Sequence, residues 1–149
     1  MNNLVMKDKI QRLKEACVNL PQTALPTEHF FLDGMYLRQC FIPKGTVFVG
    51  RVHKKDHFFM ILRGAAEITM DEKVIRVVAG MIFLCPPGTR RAGVTLEDTV
   101  FAGVIRTDKT DIAEIEEDLA VYDPTARFGV GNIMLPPLQE RLNESFKKD

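Results

Sequence analysis

The middle of the chain, residues 35–107, consists of short runs rich in Val, Ile and Phe that alternate with turn-forming residues. Runs of this length, broken at regular intervals by glycine, proline and charged residues, are typical of an all-β sandwich or barrel. The breaks are Pro43-Lys44-Gly45, Arg63-Gly64, Asp71-Glu72-Lys73, Ala79-Gly80 and Pro86-Pro87-Gly88.

The sequences on both sides of this region predict helices. Before it, apolar residues recur every three or four positions from Met6 to Leu20, Pro21 ends the pattern, and Pro26 predicts an irregular linker. After it, Asp111 or Thr110 could cap a helix whose apolar face carries Ile112, Ile115 and Leu119. We therefore expect three parts: an N-terminal helix and linker (1–34), a β-barrel (35–107), and a helical C-terminal tail and arm (108–149).

Residues 126–138 are apolar but broken by glycines and prolines, which predicts an arm packed on another surface, this chain or a neighbouring copy. Leu138, Leu142 and Phe146 would then share one face of a last short helix.

The overall charge excludes several classes of function. The 149 residues include 20 basic and 20 acidic side chains, so the formal net charge is zero. Nucleic-acid modules and electrostatic membrane binders need a surplus of Lys and Arg, and no apolar run approaches the length of a membrane span. The N-terminus lacks an apolar signal core, and three widely spaced cysteines predict no disulfide framework. The sequence thus predicts a cytoplasmic protein that binds neither nucleic acid nor membrane.

Two glycine-framed segments have fixed internal spacings. The first reads Gly45-x5-Arg51-x-His53-x3-His57-x6-Gly64, and the second reads Gly80-x5-Pro86-x-Gly88-x2-Arg91-x3-Thr95. These spacings resemble the two motifs of the cupin superfamily, position by position. The resemblance implies a mainly β, RmlC-like jelly roll, a double-stranded β-helix folded into a small barrel.

A looser resemblance is to small cupin-like proteins encoded in bacteriophage genomes. It involves residues 86–93, 96–100 and Thr107-Asp108. This resemblance implies a phage origin and a location in the host cytoplasm. It does not imply any particular activity or ligand.

In the cupin superfamily the matching motif positions hold one divalent metal ion; here they carry Arg51, His53, His57 and Arg91. Arg has no lone pair to donate, and two fixed positive charges oppose a divalent cation. His53 and His57 remain as candidate ligands for Zn, Fe, Mn or Ni, with a third ligand from Glu67, Glu97 or Asp98.

The same four side chains suit an anion, because guanidinium and imidazole groups both donate hydrogen bonds to carboxylate or phosphate. Strand alternation places His57, Phe59 and Ile61 on one face, and we expect Phe59 and Ile61, with Ile82 and Leu84, to line the site. The leading hypothesis is therefore a non-enzymatic protein that binds a small anionic molecule in the barrel through Arg51, Arg91, His53 and His57.

Other interpretations stay open at this point. The chain could be a metal-dependent oxygenase or isomerase, a metal-free enzyme with His53 or His57 as general base, or a structural virion component with a vestigial site. Each arginine could instead pair with a buried acid, and Cys40 and Cys85 read as buried thiols rather than nucleophiles. Because the strand after His57 is apolar on both faces, a homodimer is expected.

Overall fold

The structure is a computed structural model that describes residues 3–147, with side chains from Met6 onward. It contains three α-helices, nine β-strands and one 3₁₀ turn at Val130–Asn132. The helices are α1 (Asn3–Cys17), α2 (Ile112–Leu119) and α3 (Leu138–Lys147). The strands are β1 (Thr27–Leu32), β2 (Met35–Ile42), β3 (Val47–Val49), β4 (His57–Arg63), β5 (Ala65–Met70), β6 (Lys73–Val78), β7 (Ile82–Cys85), β8 (Ala92–Thr95) and β9 (Thr99–Arg106).

The strands form two antiparallel sheets. One has five strands in the order β1-β2-β9-β4-β7, and the other has four in the order β3-β8-β5-β6. Non-consecutive neighbours in both sheets are the connections of a jelly roll. The predicted mainly β fold, with an N-terminal helix and a helical C-terminal tail, is confirmed.

The barrel core lies between the two sheets because inward positions alternate with outward ones along each strand. On β4, His57, Phe59 and Ile61 are buried, whereas Phe58 and Leu62 are exposed. The apolar core comprises Ile42, Phe59, Ile61, Ala66, Ile68, Val77, Cys85 and Phe101. A second cluster, Tyr36, Ile105, Ile115 and Leu119, packs α2 against the end of the five-stranded sheet.

The expectation of an irregular linker up to residue 34 is wrong in part, because residues 27–32 form β1. This strand pairs with β2 from Thr27↔Cys40 to Leu32↔Met35. The turn between them is Asp33-Gly34, with φ of 41° and 75°. Two successive residues with positive φ make the tight turn that an Asp-Gly pair favours between antiparallel strands. That dipeptide was the sequence signal for the hairpin.

The C-terminal tail begins as predicted. The Asp111 carboxylate accepts a hydrogen bond from the Glu114 amide and caps α2, and Ile115 and Leu119 are buried. In this structure of one chain, the arm (126–138) packs on its own chain. It folds back at a Phe128↔Met134 bridge, and Asn132 Nδ2 donates to Thr27 Oγ1 of β1. Helix α3 forms as expected, but Leu142 and Phe146 are exposed.

Among the helices of the described residues, none is both long and apolar enough to cross a lipid bilayer.

Candidate functional site

A cavity of 710 Å³ lies at the mouth of the barrel. Its walls are the C-terminal end of α1 with the following linker, the segment from Ile42 to Arg51, the end of α2, and the C-terminal arm. We call this space the mouth cavity. Leu25, Phe48, Ile105, Leu119 and Phe128 contribute apolar surface to it. A mostly apolar cavity of this size with a few polar groups is the usual form of a small-molecule site.

Positive charge dominates the lining of the mouth cavity. Its lining residues include the acids Glu116 and Asp123. Asp123 forms an ion pair with Lys14, and Glu116 accepts a hydrogen bond from Arg38 at 2.8 Å. The cationic residues of the lining are Lys14, Arg38, Lys44, Arg51, Arg90 and Arg127. In a chain of zero net charge, this imbalance makes the mouth cavity a local focus of positive potential.

Three arginines of the mouth cavity donate hydrogen bonds only to neutral groups within residues 3–147. Arg51 Nη2 donates to the Phe128 carbonyl at 2.9 Å. Arg90 donates to the Gly50 carbonyl at 2.9 Å and to the Gln11 side chain at 3.0 Å. Arg127 donates to the carbonyls of Val18 and Leu135. These hydrogen bonds hold the three guanidiniums in place without an ion pair; burial lowers the pKa of Arg90, and the negative charge of Asp123 opposes this shift. Guanidiniums held in this way can donate to a carboxylate or phosphate.

His53 and His57 bring two imidazole rings to the inner end of the mouth cavity. The rings are stacked, with centroids 4.3 Å apart and planes inclined by 26°. His53 follows β3 and is held by its backbone, since its amide donates to the Thr89 carbonyl and its carbonyl accepts from Gly88. His53 Nδ1 is buried and has no hydrogen-bond partner. A buried polar atom without a hydrogen bond destabilises the fold unless a ligand or water molecule supplies a partner.

Arg91 lies next to His57 rather than in the lining of the mouth cavity. Its Nη2 is 3.3 Å from His57 Nε2, its Nη1 is 3.1 Å from Cys85 Sγ, and its Cζ lies 3.8 Å from the centre of the Phe59 ring. Arg91 thus occupies a pocket made by an imidazole, a thiol and an aromatic face, and no carboxylate of the described chain pairs with it. Burial lowers the pKa of the guanidinium.

Burial disfavours the protonated form of both His53 and His57. Burial lowers the pKa of His53 to about 4, with smaller contributions from His57 and Arg91 in the same direction. Burial also lowers the pKa of His57; the Lys55 carbonyl opposes this shift, and Arg91 adds to it. The cause in each case is that an imidazolium would be poorly solvated and close to a fixed positive charge.

The structure brings together most of the candidate residues of the sequence analysis. Arg51, His53 and His57 line the mouth cavity, Arg91 contacts His57, and Phe59 lies under Arg91. Ile61, in contrast, is fully buried in the barrel core and is absent from the lining.

The expected lining by Ile82 and Leu84 is wrong. Both point out of the barrel, because Phe83 and Cys85 pair with Phe59 and His57 and share their inward face. The alternative in which an interior arginine pairs with Glu67, Glu97 or Asp98 is not found among the described residues. All three acids are exposed, and Asp98 accepts a hydrogen bond from the Lys44 amide.

Sequence reasoning missed Arg90, Arg127, Arg38 and Lys14, which face the mouth cavity. Arg90 precedes Arg91 in the irregular segment before β8, and its side chain points toward α1, where it donates to Gln11. Arg127 had no local signal, because only tertiary packing places the arm beside the linker after α1.

The residues present do not fit a divalent metal ion. His57 Nδ1 is engaged with the Lys55 carbonyl at 3.1 Å, and His57 Nε2 faces the Arg91 guanidinium. No group of three His, Cys, Asp or Glu side chains in residues 3–147 is placed to hold an ion. A metal bound to His57 would lie beside a fixed positive charge with too few ligands, so no chemistry is derived through one.

Comparisons with known proteins agree on the fold. Residues 38–102, from β2 to β9, match the family model described as "Cupin_2: Cupin domain". The structure resembles KdgF from Halomonas sp. with a TM-score of 0.51 and 17% identity, over 60% of this chain and 84% of that one. A cupin superfamily protein from Desulfitobacterium hafniense DCB-2 gives a TM-score of 0.49 and 17% identity, over 62% and 88% of the two chains.

A Cupin 2 conserved barrel domain protein from Salinispora arenicola CNS-205 gives a TM-score of 0.48 and 21% identity, over 58% and 79%. None of the curated proteins compared with the sequence matches it. The match to the cupin domain model covers residues 38–102, less than half of the chain, and the likeness to KdgF, at 17% identity, shows the fold alone.

Proposed function

We propose that this cupin-fold chain binds a small anionic molecule with an apolar body in the mouth cavity, without chemical turnover. The observation that carries the proposal is the set of guanidiniums from Arg51, Arg90 and Arg127, which line one cavity and donate hydrogen bonds only to neutral groups of the described chain. A phosphate or carboxylate would neutralise the charge of these guanidiniums, while Phe48, Leu119 and Phe128 would contact the apolar body of the ligand.

His53 would orient the ligand. Its ring lines the mouth cavity, and its Nδ1 lacks a partner. In the neutral ring this nitrogen either donates or accepts, so a polar ligand group within hydrogen-bond distance would satisfy it. An anion close to His53 would also raise the pKa of the ring and couple binding to proton uptake below neutral pH.

Arg91 has a different role in this proposal from that expected from the sequence. It contacts His57 and Cys85 instead of lining the cavity. It would therefore position the His57 ring and add positive potential to the cavity from the far side of that ring. Of the two arginines predicted from the motif spacing, Arg51 lines the mouth cavity and would contact the ligand.

The proposal is tested by differential scanning fluorimetry with four probes: inorganic phosphate, citrate, phenyl phosphate and a nucleoside monophosphate. Calorimetric titration follows for any probe that raises the melting temperature. A ligand at 100 times its Kd stabilises a folded protein by about 2.7 kcal/mol, a shift of several degrees for a chain of this size. We expect at least one probe to bind, and we expect Arg51→Gln and Arg90→Gln each to weaken binding at least tenfold.

The matched control is Arg76→Gln, because Arg76 is exposed on β6 in the four-stranded sheet, outside the lining of the mouth cavity. It should bind the probe as the unmodified chain does. Binding of none of the four probes, or equal binding by the Arg51 and Arg90 variants, would overturn the proposal. Conversion of a bound probe, detected by mass spectrometry, would replace the binding function with an enzymatic one.

The expected bacteriophage origin and host-cytoplasm location stay predictions, since they rest on the looser sequence resemblance alone.

A further inference from the structure

The lining of the mouth cavity carries more positive charge than a singly charged ligand would neutralise. Two acids, Glu116 and Asp123, belong to it, against the six cationic residues named above, so four positive charges are in excess within the described residues. Arg91 adds a further positive charge from the far side of the His57 ring. The electrostatics of the site therefore favour a ligand with more than one negative charge.

Both acids of the lining are already engaged by cations in its wall. Glu116 Oε1 lies 2.8 Å from Arg38 Nη1, and Asp123 forms an ion pair with Lys14. Asp123 also acts on Arg90, because its negative charge opposes the lowering of the pKa of that guanidinium by burial. The two carboxylates thus compensate the cations beside them, and the excess of four charges is left uncompensated in the described chain.

The three arginines that donate only to neutral groups also keep hydrogen-bond donors without a partner in residues 3–147. Arg51 uses Nη2 alone, for the Phe128 carbonyl, which leaves Nε and Nη1. Arg90 and Arg127 each use Nε and Nη1, which leaves Nη2. A guanidinium has five N–H donors in one plane, so these nitrogens are the donors that a ligand could use without loss of the present bonds.

We propose that the anion bound in the mouth cavity is a phosphate monoester of an apolar alcohol, held as its dianion; this assignment rests on the proposed function. A phosphate monoester carries a charge of about −1.5 to −2 at pH 7 and three strong acceptor oxygens, whereas a carboxylate carries one charge and two oxygens. The charge of the phosphate matches the excess in the lining more closely. Its three oxygens match in number the three arginines that have unused donors.

The apolar part of the lining accommodates the alcohol. Leu25, Phe48 and Phe128 border the same cavity as the guanidiniums. The cavity volume of 710 Å³ lies within the range of about 300–1,000 Å³ that is usual for small-molecule pockets, so a phosphate and an aromatic ring fit together. Inorganic phosphate would leave this apolar surface in contact with water and should therefore bind more weakly than an aromatic ester.

Phenyl phosphate and phenyl sulfate form a matched pair of probes for this assignment. Both carry a tetrahedral group with three terminal oxygens on the same ring, and at pH 7.5 only the phosphate is a dianion, since its second pKa is about 6. Calorimetric titration gives the Kd of each probe. We expect the unmodified chain to bind phenyl phosphate at least tenfold more tightly than phenyl sulfate in about 0.1 M salt. The ratio should shrink in about 1 M salt, where screening is stronger.

Two substitutions at Arg51 separate the effect of its charge from that of its shape. Arg51→Gln removes one positive charge from the lining and should reduce the preference for phosphate over sulfate at least threefold. Arg51→Lys keeps the charge but not the planar fork, so both probes should bind more weakly while the preference stays. The matched control is Arg76→Gln on β6, outside the lining, which should leave both affinities unchanged. Circular dichroism checks that each variant is folded.

Equal binding of phenyl phosphate and phenyl sulfate by the unmodified chain would overturn the assignment of a phosphate monoester and leave the proposed function standing. Binding of citrate without binding of phenyl phosphate would have the same consequence. A folded Arg51→Gln variant that keeps the full preference would also overturn the assignment, because the charge of the lining would then not select the ligand. Failure of all four probes named above to bind would overturn both this assignment and the proposed function.

Discussion

Arg91 Nη2 lies 3.3 Å from His57 Nε2, and His57 Nδ1 lies 3.1 Å from the carbonyl oxygen of Lys55. A guanidinium can only donate, so Nε2 is the acceptor of the ring and the proton sits on Nδ1, which donates to Lys55. The contacts on both sides of the ring thus assign one neutral tautomer to His57. This agrees with the lowered pKa that burial and Arg91 impose on it.

Replacement of Arg91 by methionine should raise the pKa of His57. The substitution removes a positive charge beside the ring and keeps a side chain of similar length over Phe59. Chemical-shift titration of the His57 ring protons, compared with the unmodified chain, measures the change.

The same variant should be close to the unmodified chain in stability, because a buried charge without a carboxylate partner contributes little net stabilisation. Arg91→Ala serves as the control that leaves a cavity and should lose roughly 1–3 kcal/mol of unfolding free energy. An unchanged His57 pKa in Arg91→Met would refute the assigned role of Arg91.

Stability should fall as pH is lowered through the acidic range, and His53 should account for much of the fall. The ring takes up a proton at a pKa of about 4 in the folded chain, against 6.5 ordinarily. Between these values the unfolded chain binds more protons, so the free energy of unfolding decreases as pH decreases. The full difference corresponds to about 3 kcal/mol.

Urea unfolding of the unmodified chain and of His53→Gln at pH 7.5 and pH 4.5 measures this contribution. The variant has no titratable group at this position and should lose roughly 2–3 kcal/mol less on acidification. Equal losses in the two proteins would show that His53 is not the buried neutral group described above. An NMR titration of His53 with a midpoint near 6.5 would show the same.

Gly64 and Gly80 frame the two motif segments, and they should differ in how they tolerate alanine. Both have positive φ, at 84° and 96°, so alanine is strained at either. At Gly64 an added Cβ would also lie 2.3 Å from the Asp98 carbonyl oxygen, whereas nothing lies within 4 Å at Gly80. We expect Gly80→Ala to lose about 1–2 kcal/mol and Gly64→Ala more than about 3 kcal/mol or its fold. Thermal unfolding of the pair measures the difference, and equal losses would contradict the packing at Gly64.

The fold could be predicted further from sequence than the site could. Period-2 burial on β4 and the spacing of Gly45, Gly64 and Gly80 depend on residues close in sequence, and they identify the barrel. The site also depends on Arg127, which reaches the mouth cavity through contacts with Val18 and Leu20, more than 100 positions away. Periodicity contains no information about such contacts. The motif spacing identified Arg91 correctly as interior but could not show that His57 stands between it and the cavity.

Glu116 connects three parts of the wall of the mouth cavity, and its loss should loosen the C-terminal arm. Its Oε1 accepts hydrogen bonds from Arg38 Nη1 of β2 at 2.8 Å and from the Gly131 amide of the arm at 3.1 Å. Glu116→Ala removes both bonds and leaves the Arg38 charge unpaired, which should reduce stability by about 2 kcal/mol.

Hydrogen exchange in residues 126–135 should be faster in Glu116→Ala, because the arm then loses its hydrogen bond to α2, although its contacts through Arg51, Arg127 and Asn132 remain. The matched control is Glu117→Ala on the exposed side of α2, which should change neither stability nor exchange. Unchanged exchange in the arm would show that Glu116 does not hold this wall in place.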